Sequence, residues 1–398
     1  EDFLCWGIEK FPAKHFAVVI KKHGLGFATN GSSVPLSARE LRETLENVEK
    51  RTGVKPDILS WDSCNMQQWE VAYELKDRVQ VMTGSPEAIS AVEFPYQSTM
   101  LTLVNYPKQQ DAVTMGRTVV QAYAADAPQT TQFAVDMSKL PEVGQKLKSF
   151  VESALQAKVP KERLYTNLMR SASFEPKESL NFAYNFRDLA GFLHLVSQDT
   201  NIESVQVKET ARQALAALTE AQIDRNVSAE RAHLKGLSDQ VGPSAFLPWK
   251  QPSEKLRQSY GQLSWAKDTG WDQFLDSKVQ ILGQKDRKAR RQAAAYLMKV
   301  QKHPSLSNLK ISLALLGLVF DRDNILRKDV RGEIPYRVWK LPHLEELKPH
   351  LLEVSNDNPR HDQGRFEWRS PHRFRYSPLS LPRLVIFLSQ IHWQPRRI

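Results

Sequence analysis

The fold is constrained most strongly by one continuous apolar run. A well-capped helical pattern and a second strand-like segment follow it. Residues 16–20 (FAVVI) lack alternation, which is typical of a strand buried on both faces of a parallel sheet. Ser37 and Glu40 then have the spacing of a capping box, and Gly53 ends the helical pattern. Residues 57–61 (DILSW) form the next strand-like segment. The order strand, helix, strand predicts a βαβ unit with two parallel strands.

The same alternation continues along the chain. Further strands are predicted at 79–83 and 131–135. Helices are predicted in four further segments of this part, at about 65–78, 145–157, 203–224 and 254–267. This pattern favours an α/β fold with a doubly wound, mostly parallel sheet and helices on both faces. Three more helices are predicted in the C-terminal region, at 285–301, 305–320 and 341–354.

The basic charge is concentrated in the C-terminal third. The net charge is +10, but residues 277–398 carry 24 Lys and Arg against 11 Asp and Glu, which leaves 31 against 34 for residues 1–276. The shift predicts a near-neutral domain over 1–276, a basic helical region over 277–354 and a basic, aromatic, disordered tail over 355–398. Arg and aromatic residues interleave in the tail, a pattern that also occurs in nucleic-acid-binding segments. Nucleic-acid binding by the tail is therefore a further hypothesis, weaker than the others.

Composition excludes several classes of protein. The longest apolar run, 311–320, is about half the ~20 residues that a membrane span needs. Two cysteines, Cys5 and Cys64, are too few for a disulfide scaffold or a thiolate zinc site. A single cysteine after a strand raises the question of a nucleophile instead.

The candidate chemistry lies where the first two predicted strands end. His23 follows the first strand and Cys64 follows the second. Reactive groups gather at the carboxyl ends of parallel strands, so we expect a thiol–imidazole pair on one edge. A helix beginning directly after Cys64 would direct its positive end at the sulfur. The backbone N–H groups of Gly24 and Cys64 are the candidate oxyanion-hole donors.

Asp62 precedes Cys64 by two residues, and three roles are open to it. In an extended chain the two side chains lie on the same side. The carboxylate could receive a cationic substrate side chain, orient His23, or cap the following helix. His15 lies at the wrong end of its strand to meet Cys64, and Cys5 is expected to be inert. His194 and His233 have no matching partner and are expected to be structural.

The segments around these residues resemble the clostripain-type cysteine peptidases, which belong with gingipains, legumains and caspases in one fold group. The resemblance rests on the run from 18 to 26 with its H-G-x-G, on DILSWDSCNM over 57–66, and on EVAYEL over 70–75. Weaker matches at 135–140 and 268–275 extend it over residues 1–276.

This resemblance implies a thiol endopeptidase that cleaves peptide bonds after Arg or Lys through an acyl-enzyme. By position, His23 is the general base, Cys64 the nucleophile and Asp62 the carboxylate that holds a basic P1 side chain. Peptides and proteins with a basic P1 residue are then the partners. The chemistry itself requires no cofactor, and calcium is the one that the resemblance suggests. The sequence itself leaves the compartment open, and the resemblance suggests a secreted or cell-envelope location.

The front of the chain departs from the family pattern. The family fold has two strands before the His-bearing strand, and this chain begins too late to supply them. We therefore expect a fragment or processed product, with the strand at 16–20 as an exposed edge. The alternative function is a catalytically inactive member that acts as a binding or scaffold module through its basic C-terminal region.

Overall fold

The computed structural model describes most of the first 279 residues and one strand near the C-terminus. The described residues are 1–24, 26–27, 37–89, 94–105, 111–157, 159–172, 174, 186–227, 241–248, 252, 254–279 and the backbone of 383–388. The helices predicted at 285–301, 305–320 and 341–354 lie outside them, as does most of the predicted tail. The boundaries at 276 and 354 therefore stay predictions.

Within the described residues, the strands form one central sheet and one small two-stranded sheet. The central strands are β1 (Phe16–Lys21), β2 (Ile58–Asp62), β3 (Val81–Gly84), β4 (Gln132–Asp136), β6 (Gln222–Asn226) and β8 (Arg383–Leu388). Their spatial order is β6-β4-β3-β2-β1-β8. The small sheet pairs β5 (Phe186–Asp188) antiparallel with β7 (Ser244–Phe246).

Helices fill the connections between these strands. In chain order they are α1 (Asp2–Lys10), α2 (Ala38–Thr52), α3 (Trp69–Leu75), α4 (Tyr96–Asn105), α5 (Ala112–Asp126), α6 (Leu140–Gln156), α7 (Lys161–Arg170), α8 (Leu189–Gln198), α9 (Val205–Ala221), α10 (Glu254–Gly261), α11 (Ser264–Thr269) and α12 (Trp271–Phe274). A 3₁₀ turn, Met137–Lys139, precedes α6, and a π-helical turn, Leu275–Val279, follows α12.

The predicted βαβ unit is confirmed. The Ser37 hydroxyl accepts a hydrogen bond from the Glu40 N–H (3.2 Å), and the Glu40 carboxylate accepts one from the Ser37 N–H (2.6 Å). Gly53 ends α2 with a left-handed φ of 71°, a conformation that favours glycine. Strands β1 and β2 are parallel neighbours, as are β2 and β3.

The α/β fold is confirmed, but the sheet is mixed rather than mostly parallel. β4 runs antiparallel to β3, and β6 runs antiparallel to β4. The reason is the connection: α4 and α5 lie in succession between β3 and β4. The second helix returns the chain to the edge where β3 ended, so the next strand has to run the opposite way.

One face of the sheet packs against α5. A core cluster joins Val19, Ile58 and Val81 from three adjacent strands to Val119 and Tyr123 of the helix. Side chains alternate along a strand, so the residues between these face the opposite side. There α2 and α3 cover the sheet with their own buried faces. The helices thus lie on both faces, as the strand–helix alternation predicts.

Several predicted boundaries are corrected by the structure. The helix predicted at 203–224 ends at Ala221, where the chain continues as β6, and the helix at 254–267 is divided into α10 and α11. Strand β8 pairs antiparallel with β1 along its whole length. The prediction that β1 is an exposed edge is therefore wrong, because a segment of the predicted disordered tail supplies partners for its backbone groups.

Candidate active site

His23 and Cys64 lie just beyond the ends of two paired strands, β1 and β2. The two strands are parallel, and their last paired residues are Lys21 and Asp62. His23 and Cys64 each follow two residues later, so both lie at the carboxyl edge of the sheet. His23 is exposed and Cys64 is half-buried. The strand ends thus bring the predicted imidazole and thiol residues to one accessible edge.

Contacts beyond the strand ends hold these two loops together. The Lys22 N–H donates to the Ser63 hydroxyl (3.2 Å), which in turn donates to the Ile20 carbonyl (3.2 Å). Gly24 lies directly against the backbone of Cys64, where a Cβ would meet the carbonyl oxygen at 1.9 Å. Glycine is required there because any side chain would push the two loops apart. The oxyanion role of the Gly24 and Cys64 N–H groups stays a prediction.

A third loop, residues 85–89 after β3, also supports the site, and the sequence analysis missed it. The Asn65 N–H donates to the Glu87 carbonyl and the Gln67 N–H donates to the Ser85 carbonyl, each at 3.0 Å. These bonds join the loops after β2 and β3 in the way that backbone bonds join neighbouring strands. No motif marks them, because both partners are backbone groups.

The hydrogen bond to the candidate nucleophile comes from this third loop rather than from a helix. The Ile89 N–H donates to the Cys64 sulfur at 3.3 Å, and the thiol itself lies 4.0 Å from the Ile89 carbonyl oxygen as a donor. The prediction of a helix directly after Cys64 is wrong: α3 begins at Trp69 after its N-cap Gln68, and Asn65 has a left-handed φ of 56°. The third loop engages the intervening backbone, which is therefore not available for a helical turn.

Asp62 is buried beside a lysine of the neighbouring strand. It is 8% exposed, and its Oδ2 lies 3.6 Å from the Lys21 Nζ. Burial, and next the negative charge of Asp62, raise the pKa of Tyr123, which places the carboxylate on the α5 side of the sheet. The helix-capping alternative is wrong, because the N-cap of α3 is Gln68. The roles in P1 binding and in orienting His23 stay predictions.

The loop that carries His23 is supported by Gln68, which the sequence analysis also missed. The Gln68 amide oxygen accepts a hydrogen bond from the Phe27 N–H (3.0 Å), and the Gln68 side chain is fully buried. Gly26, with φ of 63°, lies so close to that side chain that a Cβ would overlap it. The Phe27 ring then packs edge-on against three aromatic rings: Phe186, Phe246 and Tyr260.

A buried carboxylate, Glu70, ties this aromatic cluster to α3. Its Oε1 accepts hydrogen bonds from the Phe246 N–H (2.7 Å) and the Tyr260 hydroxyl (3.0 Å). Burial raises the pKa of Glu70 to about 7, against the lowering effect of these bonds. The two aromatic residues that Glu70 holds are the same ones that contact Phe27, so Glu70 supports the His23 loop indirectly.

The other candidate residues lie away from this edge. The Nδ1 of His15 lies 3.2 Å from the Oδ1 of Asp57. Both residues lie at the amino ends of β1 and β2, at the sheet edge opposite to Cys64, as predicted for His15. Cys5 is fully buried on α1, and His194 is half-buried on α8. His233 lies outside the described residues.

The described residues contain no cluster of three or more His, Cys, Asp or Glu that could hold a metal ion. Calcium dependence therefore stays a prediction.

No helix in the described part of the chain has the length and apolarity to span a bilayer. An apolar cavity of about 40 Å³ lies against α4, lined by Val19, Ile58 and Phe94 among others, and neither His23 nor Cys64 borders it.

Comparisons with known proteins gave one family match and several similar solved structures. The profile of the clostripain family matches residues 1–278. A secreted C11 cysteine protease from Bacteroides thetaiotaomicron, solved with an irreversible peptide inhibitor, is 17% identical with a TM-score of 0.50, covering 68% of this chain and 76% of that chain. An inactive zymogen C11 protease from Parabacteroides distasonis is 18% identical with a TM-score of 0.45, covering 67% and 74%. Comparison with curated protein sequences gave no significant match.

The two kinds of similarity carry different weight. At 17% identity the Bacteroides structure supports the fold alone. The family profile covers more than half of the sequence, and it includes both strand ends at which the thiol and imidazole residues lie. The chain therefore belongs to the clostripain family and is a cysteine peptidase, whose substrates are peptides or proteins.

Proposed function

We propose that this peptidase is an endopeptidase that cleaves after Arg or Lys through a Cys64–His23 dyad. The observation that carries the proposal is the parallel register of β1 and β2, whose last pair, Lys21 and Asp62, precedes His23 and Cys64 by two residues each. The close contact of Gly24 with Cys64 supports it, because it fixes the distance between the two loops.

The proposed chemistry has two steps. In acylation, the Cys64 sulfur attacks the scissile carbonyl carbon, the C–N bond breaks, and His23 gives its proton to the leaving amine. In deacylation, His23 takes a proton from a water molecule that attacks the thioester, which releases the carboxylic acid and restores the thiol. The Ile89 N–H aimed at the sulfur supports the thiolate before attack. The N–H groups of Gly24 and Cys64 stabilise the oxyanion.

The proposed specificity rests on Asp62. A carboxylate that is 7% exposed is poorly solvated, and a cationic side chain compensates that charge better than an apolar one does. The pairing with the Lys21 ammonium supports the idea that a cation fits beside this carboxylate. Substrates with Arg or Lys at P1 would provide the same kind of group from solution.

A thiol-directed peptide inhibitor with Lys at P1 tests the dyad directly. We expect mass mapping to find the label on Cys64 and not on Cys5, which is fully buried. Cys64→Ala should abolish both labelling and hydrolysis, and His23→Ala should lower the labelling rate at unchanged thermal stability. Label mainly on Cys5, or an unchanged rate in His23→Ala, would contradict the dyad.

Secretion forms part of the same proposal, since the similar Bacteroides protein is described as secreted. Immunoblots of culture supernatant, envelope and lysate from the native host would test it. Recovery of the chain in the lysate alone would contradict it. Activity assays with a calcium chelator would separately test the calcium dependence that the resemblance suggests.

A further inference from the structure

Lys21 and Asp62 form an ion pair at the position where the proposed substrate cation binds. The two residues are direct partners in the register of β1 and β2, and their side chains point to the same face. The Nζ–Oδ2 distance is 3.6 Å, and the two ends differ sharply in exposure: 40% for the lysine against 7% for the aspartate. The carboxylate is therefore fixed in the protein, while the ammonium lies at the surface.

This asymmetry matters because a buried carboxylate needs a compensating cation. In the free enzyme Lys21 provides it. A lysine side chain has a flexible four-carbon stem and a strongly hydrated head, so it can move into water at little cost. The pair is thus suited to exchange its cation while the carboxylate stays in place.

We propose that Lys21 is a specificity-determining residue that competes with the P1 cation of the substrate for Asp62. This rests on the proposed P1 role of Asp62. When an Arg or Lys substrate binds, its side chain displaces the Lys21 ammonium. When a neutral P1 residue binds, Lys21 stays on Asp62 and prevents an uncompensated buried charge. The competition therefore weakens the preference for basic P1 residues and makes neutral ones less unfavourable.

The chain provides a matched control in the next residue. Lys22 carries the same charge, but its ammonium lies over the Trp61 ring, 5.7 Å from the ring centroid, and Trp61 faces away from Asp62 in β2. Because burial lowers the pKa of Lys22 to about 8, the assays are run well below that pH, where removing either lysine changes the net charge by the same amount. A general electrostatic effect would therefore change kcat/KM in both variants. Loss of competition for Asp62 would change it only in Lys21→Met.

The experiment compares Lys21→Met, Lys22→Met and Asp62→Asn on two peptides that differ only in Arg or citrulline at P1. We expect Lys21→Met to raise kcat/KM on the Arg peptide about 3- to 10-fold through a lower KM, the scale of a partly exposed ion pair. The citrulline peptide should be cleaved no faster than by wild type. Lys22→Met should stay within about twofold of wild type on both peptides. The gain should shrink at high salt.

The outcomes separate this inference from the proposed function. If Asp62→Asn loses the Arg preference but Lys21→Met does not differ from Lys22→Met, the P1 role stands and the competition is wrong. If Asp62→Asn keeps the Arg preference, the proposed specificity itself is wrong and the competition falls with it. Thermal unfolding of each variant checks folding, and Lys21→Gln, which keeps a polar tip, replaces Lys21→Met if that variant is unstable.

Discussion

A Cβ atom on Gly24 would lie 1.9 Å from the carbonyl oxygen of Cys64 and 2.8 Å from the Cγ of Met66. Real Cβ atoms do not approach backbone oxygen so closely, and the nearest atom belongs to main chain that cannot rotate away. The loop after β1 can therefore contact the loop after β2 only if residue 24 is glycine. Since His23 is the preceding residue, this contact fixes its backbone against the loop that carries Cys64.

Gly24→Ala should consequently damage activity far more than stability. The clash displaces the His23 loop, and we expect kcat/KM to fall at least about 100-fold, the scale of an ångström-sized misplacement of a catalytic group. The control is Gly53→Ala, where φ is 71° and the space around the Cβ is open. That variant should lose about 1 kcal/mol of stability and keep its kcat/KM. Wild-type activity in Gly24→Ala would contradict the loop contact.

Gln68→Met should lower kcat without a matching rise in KM. It removes the acceptor for the Phe27 N–H and leaves the His23 loop less well positioned, for which we expect about a 10- to 100-fold loss. Gln80→Met is the control for loss of a glutamine hydrogen bond far from the site, because Gln80, an exposed residue, donates to Asp57 (2.8 Å) at the opposite edge of the sheet. It should reduce stability alone. Equal losses of activity in the two variants would show that Gln68 has no positioning role.

Glu70→Gln should flatten the pH dependence of stability between about pH 4.5 and 7. Burial raises the pKa of Glu70 to about 7, so the folded state binds its proton more tightly than the unfolded state. The resulting stabilisation is on the order of 3 kcal/mol. It is complete below about pH 4.5 and is lost as the pH rises through 7. Glutamine does not titrate, so this loss should disappear in urea unfolding measured across that range.

Two comparisons make the Glu70 measurement specific. Part of the slope should remain in Glu70→Gln, because burial also raises the pKa of Asp188 to about 7. Glu152→Gln, which alters a carboxylate that is 56% exposed on α6, should keep the wild-type slope. An unchanged slope in Glu70→Gln would mean that Glu70 does not titrate in this range.

Lys22→Met should stabilise the protein at neutral pH. Burial, partly offset by Glu40, lowers the pKa of Lys22 to about 8, so the unfolded state binds its proton more tightly. Wild-type stability should therefore rise between about pH 8 and 10.5, and the variant should lack that rise. At pH 7 the variant should gain about 1 kcal/mol, after allowance for solvent screening of a partly exposed group. A less stable variant at pH 7 would contradict the burial cost.

Local sequence patterns predict the elements that are fixed by neighbouring residues. The capping box of Ser37 and Glu40 and the left-handed Gly53 form as predicted, because their bonds join residues three or four apart. The parallel pairing of β1 and β2 follows from a single intervening helix. With these elements in place, the arrival of His23 and Cys64 at one sheet edge follows from their positions after the two strands.

The parts that the sequence does not predict depend on residues far apart in the chain. Asn65 starts a turn rather than a helix because its N–H bonds to Glu87, and Phe27 is placed by Gln68, 41 residues away. The direction of β4 depends on how two helices pack together, and the burial of Glu70 on contacts with Phe246 and Tyr260.

The sequence by itself therefore determined the βαβ unit, its caps and the edge that carries the thiol and the imidazole. Each of these follows from short-range sterics and from the two-residue period of strands. Only the tertiary structure decided that Ile89 donates to the Cys64 sulfur and that Lys21 pairs with Asp62. Both contacts join different strands or loops, so they arise from the register of the sheet rather than from any local pattern.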